Sequence, residues 1–294
     1  MIDKCGLTGD EKTNAVVEMQ TCKDKGMGVF TLKDIAVGGE IHREKPLAIY
    51  ENGVDFEDLD ISPKKHKLIG SLHDAFAVSG GGKSYWGITK TNGLPANDGK
   101  QGLFYLACRL NHACSGAQNA RYVWRDDLEK MMVRAIRPIK KGEEILVNYI
   151  DPYLCREERQ KSLWDGFRFK CACDECTTKW SKSRDEKLKE IRQSIEDYIP
   201  VAQQFEPKRA LGLVEKVLET LETEGLNTPH DLGTIHYRAF QIADKAFDVD
   251  KRRFHLKKAH ECWLQTEGGG SRLDLMGKDI VCTMHIAGYA CFLA

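Results

Sequence analysis

Cys171, Cys173 and Cys176 follow the spacing C-x-C-x-x-C, on a segment too short for every sulfur to be buried core. Structural zinc is tetrahedral and takes four nitrogen or sulfur ligands, so this cluster is one ligand short. Cys114, beside Asn111-His112, is the first candidate for the fourth. The alternative is a set of reduced free thiols, which would be open to oxidation. Tyr149 stands at the end of an alternating stretch, just before Asp151-Pro152, where a tyrosine ordinarily packs amphipathically. Gly26-Met27-Gly28 offers two glycines one residue apart, which let backbone approach a ligand closely or simply turn a hairpin.

The elements around these residues follow from pattern. Lys141-Gly142 marks a turn, and Ile145, Val147 and Tyr149 alternate with Leu146 and Asn148 at the period of a strand. Upstream, Val16–Met19 predicts a strand, Thr21–Lys25 a polar turn, Val29–Leu32 a strand, Ala36–Gly39 a turn and Ile41–Tyr50 a further strand. Ser62-Pro63 starts a helix, with Leu68, Ile69, Leu72 and Phe76 as its buried face. His66 and His73 lie on that helix with no metal-ligand partners in sequence. Ser79–Ser84 and Thr91–Gly102 read as loops, and Leu103–Leu110 as an apolar approach to Asn111-His112. Arg121–Trp124 and Met131–Ile136 form a hairpin across Asp126-Asp127, and Glu157–Leu163 a short helix leading into Phe167-Arg168-Phe169. By pattern alone those two aromatics are core.

From Ser183 the apolar period changes to three and four residues, as in amphipathic helices. Leu188, Ile191, Ile195 and Ile199 make one such stripe, and Leu211, Val214, Val217, Leu218 and Leu221 another. Breaks fall at Pro200, Pro207, Gly225, Pro229 and Gly268–Gly270, and the boundary between domains lies near residue 180. Lys251-Arg252-Arg253 with Lys257-Lys258 reads as a solvated helix face, residues 1–13 as a loose lead-in, and Ile286–Leu293 as a docked last helix.

Composition narrows the function. Lys+Arg 44 against Asp+Glu 44 gives no net charge, so bulk electrostatics call for neither nucleic acid nor an anionic membrane. Met1–Glu18 has no apolar signal region and no run is long enough to span a bilayer, which predicts a cytoplasmic or nuclear protein. Eleven cysteines in such a compartment argue for metal and reduced thiols rather than a disulfide scaffold.

Asn111-His112-Ala113-Cys114, then Gly142-Glu143-Glu144-Ile145 leading to Tyr149, then the C-x-C-x-x-C cluster, resemble the SET-domain methyltransferases with their post-SET zinc loop. Tyr149-Ile150-Asp151 and Phe167–Thr178 are most similar to the SET-and-MYND branch, and Lys25–Phe30 with Gly39-Glu40-Ile41 to the fold's N-terminal half. The resemblance covers residues 14–178. The branch carries its MYND zinc finger in the region of 51–108, but no cysteine lies between Cys22 and Cys108, so that finger is absent there.

The resemblance implies an α+β fold. Residues 1–180 would form a SET-domain β-sheet fold with a pseudoknot, a helical insert over about 51–108 and a post-SET zinc loop over about 165–178. Residues 181–294 would form an α-helical, tetratricopeptide-like C-terminal domain. It also implies a function: an S-adenosylmethionine-dependent protein-lysine N-methyltransferase. Lys25, Gly26, Met27, Gly28, Asn111, His112, Tyr149 and Phe169 would hold the cofactor, Tyr149 would be catalytic and Phe167 would wall the substrate channel. Cys114, Cys171, Cys173 and Cys176 would bind structural zinc. The sequence departs from the family where Ala113 replaces a serine, where Ser115–Asn119 is a longer loop without proline, and where Met27 replaces a basic residue. Phe167 stands where many relatives have tyrosine, which would leave more room for a di- or trimethyl product. The expected partner is a lysine-containing protein and the expected state a monomer. A SET-fold module that has lost catalysis and recruits partners, or a methyltransferase for small-molecule amines, are the alternatives.

Overall fold

The computed structural model describes residues 16–22, 25–51, 61–78 and 81–268. The lead-in at 1–13 and the apolar end at Ile286–Leu293 lie outside the described residues. Two compact units emerge. One holds the described residues up to Ile150 together with Glu157–Thr177, and the other holds Asp151–Arg156 with the described residues from Thr178 onward.

The first unit opens with the antiparallel pair β1 (Val17–Cys22) and β2 (Gly26–Thr31). The stretch read as one strand over Ile41–Tyr50 is two, β3 (Glu40–Glu44) and β4 (Ala48–Tyr50). Pro46 falls between them, where a residue without an N–H cannot continue a ladder. Helix α1 (Pro63–Gly70) begins with proline in its first turn, as read, but ends before Leu72 and Phe76, so its expected buried face is shorter. Thr91 and Asn92, assigned to a loop, instead close helix α2 (Tyr85–Asn92). Its signal was Ser84, whose hydroxyl accepts the Gly87 N–H at 3.0 Å as an N-cap.

Strands β5 (Leu94–Pro95) and β6 (Gln101–Leu103) join β4 in a sheet of order β4-β6-β5. β7 (Asn111–His112) follows, then the expected hairpin of β8 (Ala120–Arg125) and β9 (Lys130–Ala135), which sits in a second sheet of order β3-β9-β8. β10 (Leu146–Val147) runs parallel to β7, pairing Leu146 with Asn111 and Val147 with His112. That pairing joins two motifs far apart in sequence. Gly142, at φ 83°, makes the turn before β10, and its N–H donates to Thr31 at 2.8 Å. The core beneath is Val29, Ile41, Phe104, Leu110, Met131, Val133, Ile139, Ile145 and Val147.

Helix α3 (Arg156–Phe167) is longer than the Glu157–Leu163 reading and ends where Arg168 adopts a left-handed conformation, its N–H bonded to the Trp164 carbonyl at 3.1 Å. The second unit is helical: α4 (Lys182–Gln193), α5 (Ile199–Phe205), α6 (Pro207–Thr223), α7 (Pro229–Lys245) and α8 (Val249–Glu267). Pro200 does not break the chain as expected. A π-helical turn over Ser194–Tyr198 carries α4 into α5, so that the missing proline N–H falls in the first turn after a register shift. Leu188, Ile191, Ile199, Leu211, Val214, Val217, Leu221 and Ile242 are buried together in its core.

Candidate active site and metal centre

The C-x-C-x-x-C segment is held from helix α3. The Gln160 side chain brackets Cys171, its Oε1 accepting the Cys171 N–H at 3.0 Å and its amide donating to the Cys171 carbonyl at 2.8 Å. The preceding residue of the helix, buried Arg159, donates to the Glu175 carbonyl at 3.0 Å. A single helical turn over Asp174–Cys176 then folds the loop back.

Cys114 arrives from the end of β7, where the Ala113 N–H donates to the Val147 carbonyl at 3.0 Å. Its own carbonyl accepts the N–H groups of Ala117 and Gln118, closing the turn. Gly116 lies close against Glu175 in that turn: a Cβ there would stand 2.2 Å from the Glu175 carboxyl carbon, so the carboxylate would have to move.

The four sulfurs meet. Cys114 Sγ lies 3.5 Å from Cys176 Sγ and 4.0 Å from Cys171 Sγ, and all four, Cys173 included, fall within 4.8 Å of one another. A zinc–sulfur bond of about 2.3 Å in a tetrahedron separates neighbouring sulfurs by about 3.8 Å. The cluster fits that geometry, and its all-thiolate donor set suits zinc. Hydrogen bonds from neighbouring thiols draw the Cys173 thiol well below its usual range, and Cys176 down to about 7. Arg159 adds to the Cys176 effect as a further hydrogen-bond donor.

Asn111 and His112 sit beside this centre. The Asn111 side-chain amide donates to Glu144 Oε1 at 2.7 Å and to the Met27 carbonyl at 3.2 Å. Two acceptors fix which way the amide points. The other Glu144 oxygen pairs with the Lys25 ammonium at 3.1 Å. Gly28 faces the same spot: a Cβ there would lie 2.4 Å from Cys22 Sγ, 2.8 Å from Glu144 Oε1 and 3.0 Å from Asn111 Nδ2. Lys25, Gly28 and Asn111 are thus brought together around Glu144, a residue the motif contained but to which pattern assigned no role; Met27 joins them through Asn111, and Gly26 pairs with Cys22 in the β1–β2 ladder. Asn119, at the end of the long loop, clamps the strand from the other side. Its side chain accepts the Leu146 N–H and donates to the Glu144 carbonyl, both at 2.8 Å.

Tyr149 completes the site. Its hydroxyl donates to the Leu110 carbonyl and its N–H to His112 Nδ1 at 3.1 Å. Its ring is 4.8 Å from Phe167 and 5.2 Å from His112, whose ring is in turn 6.0 Å from Phe169. The left-handed turn at Arg168 separates the two phenylalanines, sending Phe167 against Tyr149 and Phe169 against His112. Burial pushes the Tyr149 phenol above its usual range and holds the His112 imidazole down to about 4. Both are therefore neutral around pH 7. The arrangement offers neutral dipoles and aromatic walls rather than a general base.

The sequence carries the same assignment, since residues 46–150 match the family model described as SET domain. These residues are similar to the SET domain. The chain is 34% identical over 170 residues to histone-lysine N-methyltransferase set5 of Schizosaccharomyces pombe, an alignment covering 58% of this chain and 52% of the yeast protein. It is 38% identical over 90 residues to human N-lysine methyltransferase SMYD2, covering 31% of this chain and 19% of that one. It is 28% identical over 124 residues to mouse histone-lysine N-methyltransferase SMYD3, covering 40% and 28%. The chain thus spans about half the length of the first of these relatives and less of the others. Glu144, Asn111, His112 and Tyr149 all lie inside the matched SET domain, whereas Lys25 to Gly28 and three of the four cysteines lie outside it.

Proposed function

We propose that the chain is a protein-lysine N-methyltransferase using S-adenosylmethionine, with Tyr149 as its catalytic residue and structural zinc on Cys114, Cys171, Cys173 and Cys176. The observation that carries this reading is Tyr149 itself. The tyrosine is clamped at its hydroxyl by Leu110 and at its N–H by His112, and it is walled by Phe167.

S-adenosylmethionine would supply a methyl group on a sulfonium: in-line attack by the lone pair of a neutral lysine amine would form the N–C bond as the C–S bond breaks, with S-adenosylhomocysteine the leaving group and the new ammonium giving its proton to solvent. The protein's own residues orient and desolvate. Aromatic walls such as Phe167 disfavour the charged ammonium and so favour the amine that must attack. The Tyr149 hydroxyl, kept protonated, and the carbonyl beside it orient that amine; alignment of this kind is worth several kcal/mol of barrier. Lys25, Gly26, Met27, Gly28, Asn111, His112 and Phe169 would hold the cofactor, with Asn111 and Lys25 set by Glu144. Zinc with four thiolates has no open position, so its part is to hold the loop carrying Phe167 and Phe169 against the sheet.

The protein substrate is read from the relatives, which are lysine methyltransferases, and action in cytoplasm or nucleus belongs to the same proposal. No helix among the described residues is long and apolar enough to cross a membrane. The paired helices α6, α7 and α8 are read as a short tetratricopeptide-like array, and the chain as a monomer with residues 1–180 as catalytic domain and 181–294 as helical domain.

The test is Tyr149→Phe in the full chain. Calorimetric titration with S-adenosylmethionine should give an affinity within a few-fold of wild type, while transfer of labelled methyl to a panel of lysine-containing proteins, core histones among them, should be nearly abolished. Wild-type turnover in that variant would sink the assignment. Zinc in the purified protein without cofactor binding would instead favour a recruiting module.

A further inference from the structure

His112 uses both ring nitrogens, and each points at a different part of the site. Nδ1 accepts the Tyr149 N–H at 3.1 Å. Nε2 lies 3.5 Å from Cys114 Sγ. The ring is buried between Tyr149 and Phe169, at 5.2 and 6.0 Å.

A backbone N–H can only donate, so Nδ1 must be the bare nitrogen. In a neutral imidazole the proton then sits on Nε2. That N–H faces the Cys114 sulfur, which must therefore accept. A thiol accepts weakly, whereas a metal-bound thiolate carries no proton and accepts well. The ring satisfies both contacts together only in this tautomer.

We propose that His112 is a positioning residue joining the metal centre to the catalytic tyrosine, with Nε2–H steadying the Cys114 thiolate and Nδ1 fixing the Tyr149 backbone. This rests on the zinc reading given above. Its consequence is that the two ends of the imidazole have separable duties. The centre keeps its metal through one nitrogen, and Tyr149 keeps its place beside Phe167 through the other.

Two near-isosteric variants divide those duties. In His112→Asn the side-chain oxygen can take the place of Nδ1, but nothing reaches Cys114. In His112→Gln the terminal amide can reach the place of Nε2, but Nδ1 is lost. Two readouts that do not depend on activity follow them in the full chain. One is the rate of zinc release to a chromogenic chelator. The other is the Tyr149 amide resonance in protein labelled with ¹⁵N-tyrosine, identified by its disappearance in Tyr149→Phe. The chain has 9 tyrosines, and the remaining amides report whether each variant is folded.

The expected result is crossed. His112→Asn should release zinc about tenfold faster, the low end of what loss of a ligand-supporting partner costs, while its Tyr149 amide stays near the wild-type position. His112→Gln should hold zinc at close to the wild-type rate while the Tyr149 amide moves. Equal zinc release and equal amide movement in the two folded variants would mean that the ring only fills space, and would overturn the proposal. A wild-type chain that holds no zinc would defeat the metal reading itself, a separate outcome seen before any variant is made.

Discussion

The Asn111 side-chain amide donates to Glu144 Oε1 at 2.7 Å, tying β7 to the turn that precedes β10. Glu144 is also the partner of Lys25, so one carboxylate organises both ends of the proposed cofactor site. Hydrogen bonds to a charged group contribute about 1.5–3 kcal/mol, or roughly ten- to a hundredfold in an equilibrium. Glu144→Ala should therefore weaken S-adenosylhomocysteine binding by about tenfold or more, measured by calorimetry. An unchanged affinity would show that Asn111 and Lys25 are placed without it.

Gly28→Ala should be worse than its single methyl suggests. The added carbon would meet Cys22, Glu144 and Asn111 at 3.0 Å or less, and overpacking of this kind typically costs about 1–3 kcal/mol. Thermal melting should show the loss, and Gly28→Ala combined with Cys22→Ala should recover part of it by opening the nearest contact.

Glu44 in β3 supports the segment that leads into the site. Its carboxylate accepts the N–H groups of Tyr105, Leu106 and Ala107 at 2.8, 2.9 and 2.7 Å. These residues run directly into Leu110, whose carbonyl holds the Tyr149 hydroxyl. Glu44→Ala leaves three N–H groups without their acceptor and should lower stability to urea by a few kcal/mol. Because the contacts need an acceptor rather than a charge as such, Glu44→Gln should retain part of that stability.

Stripping the metal should loosen the segment from Cys171 to Cys176. With the four sulfurs within 4.8 Å of one another, a chelator should make the Gln160-bracketed Cys171 amide exchange rapidly with solvent, an effect visible by hydrogen exchange and reversed by added zinc. Cys176→Ser should reproduce the loosened state.

The helical unit should lose stability in mild acid. His236 and His255 meet Nδ1 to Nδ1 at 2.9 Å between α7 and α8. Burial lowers both, His236 to about 4, with His255 and Lys258 pushing it the same way and Glu261 opposing. For His255, Lys251 acts with burial while Glu215 and Asp248 oppose it. The unfolded chain, with histidines near 6.5, binds more protons between about 6.5 and 4 than the folded one. Stability should fall as pH drops through that window and level off below it. His236→Gln should flatten the decline in melting temperature, and an identical slope in that variant would count against the pair.

Much of the site is legible in the sequence alone. Thiolate spacing in C-x-C-x-x-C demands a metal or a reducing cell, and the turn at Gly142 with alternation through Tyr149 demands a strand, because these are local rules of ligand count and backbone geometry. The order of the motifs points to the SET domain, to which residues 46–150 are similar. Helix α2 is hidden in the sequence because its cap, Ser84, stands in a glycine-rich loop, and Pro46 divides Ile41–Tyr50 into two strands where alternation alone reads one.

Sequence by itself singled out the candidate residues: Tyr149, Asn111, His112, Gly28 and the four clustered cysteines. Only the tertiary structure decided their partners. Parallel pairing of β7 with β10 is what delivers Glu144 to Asn111 and the Tyr149 hydroxyl to Leu110. It is also what sets His112 between a sulfur and an amide. Such contacts join residues far apart in the chain, where no periodicity relates them, and their free energy is realised only once the intervening segments have closed.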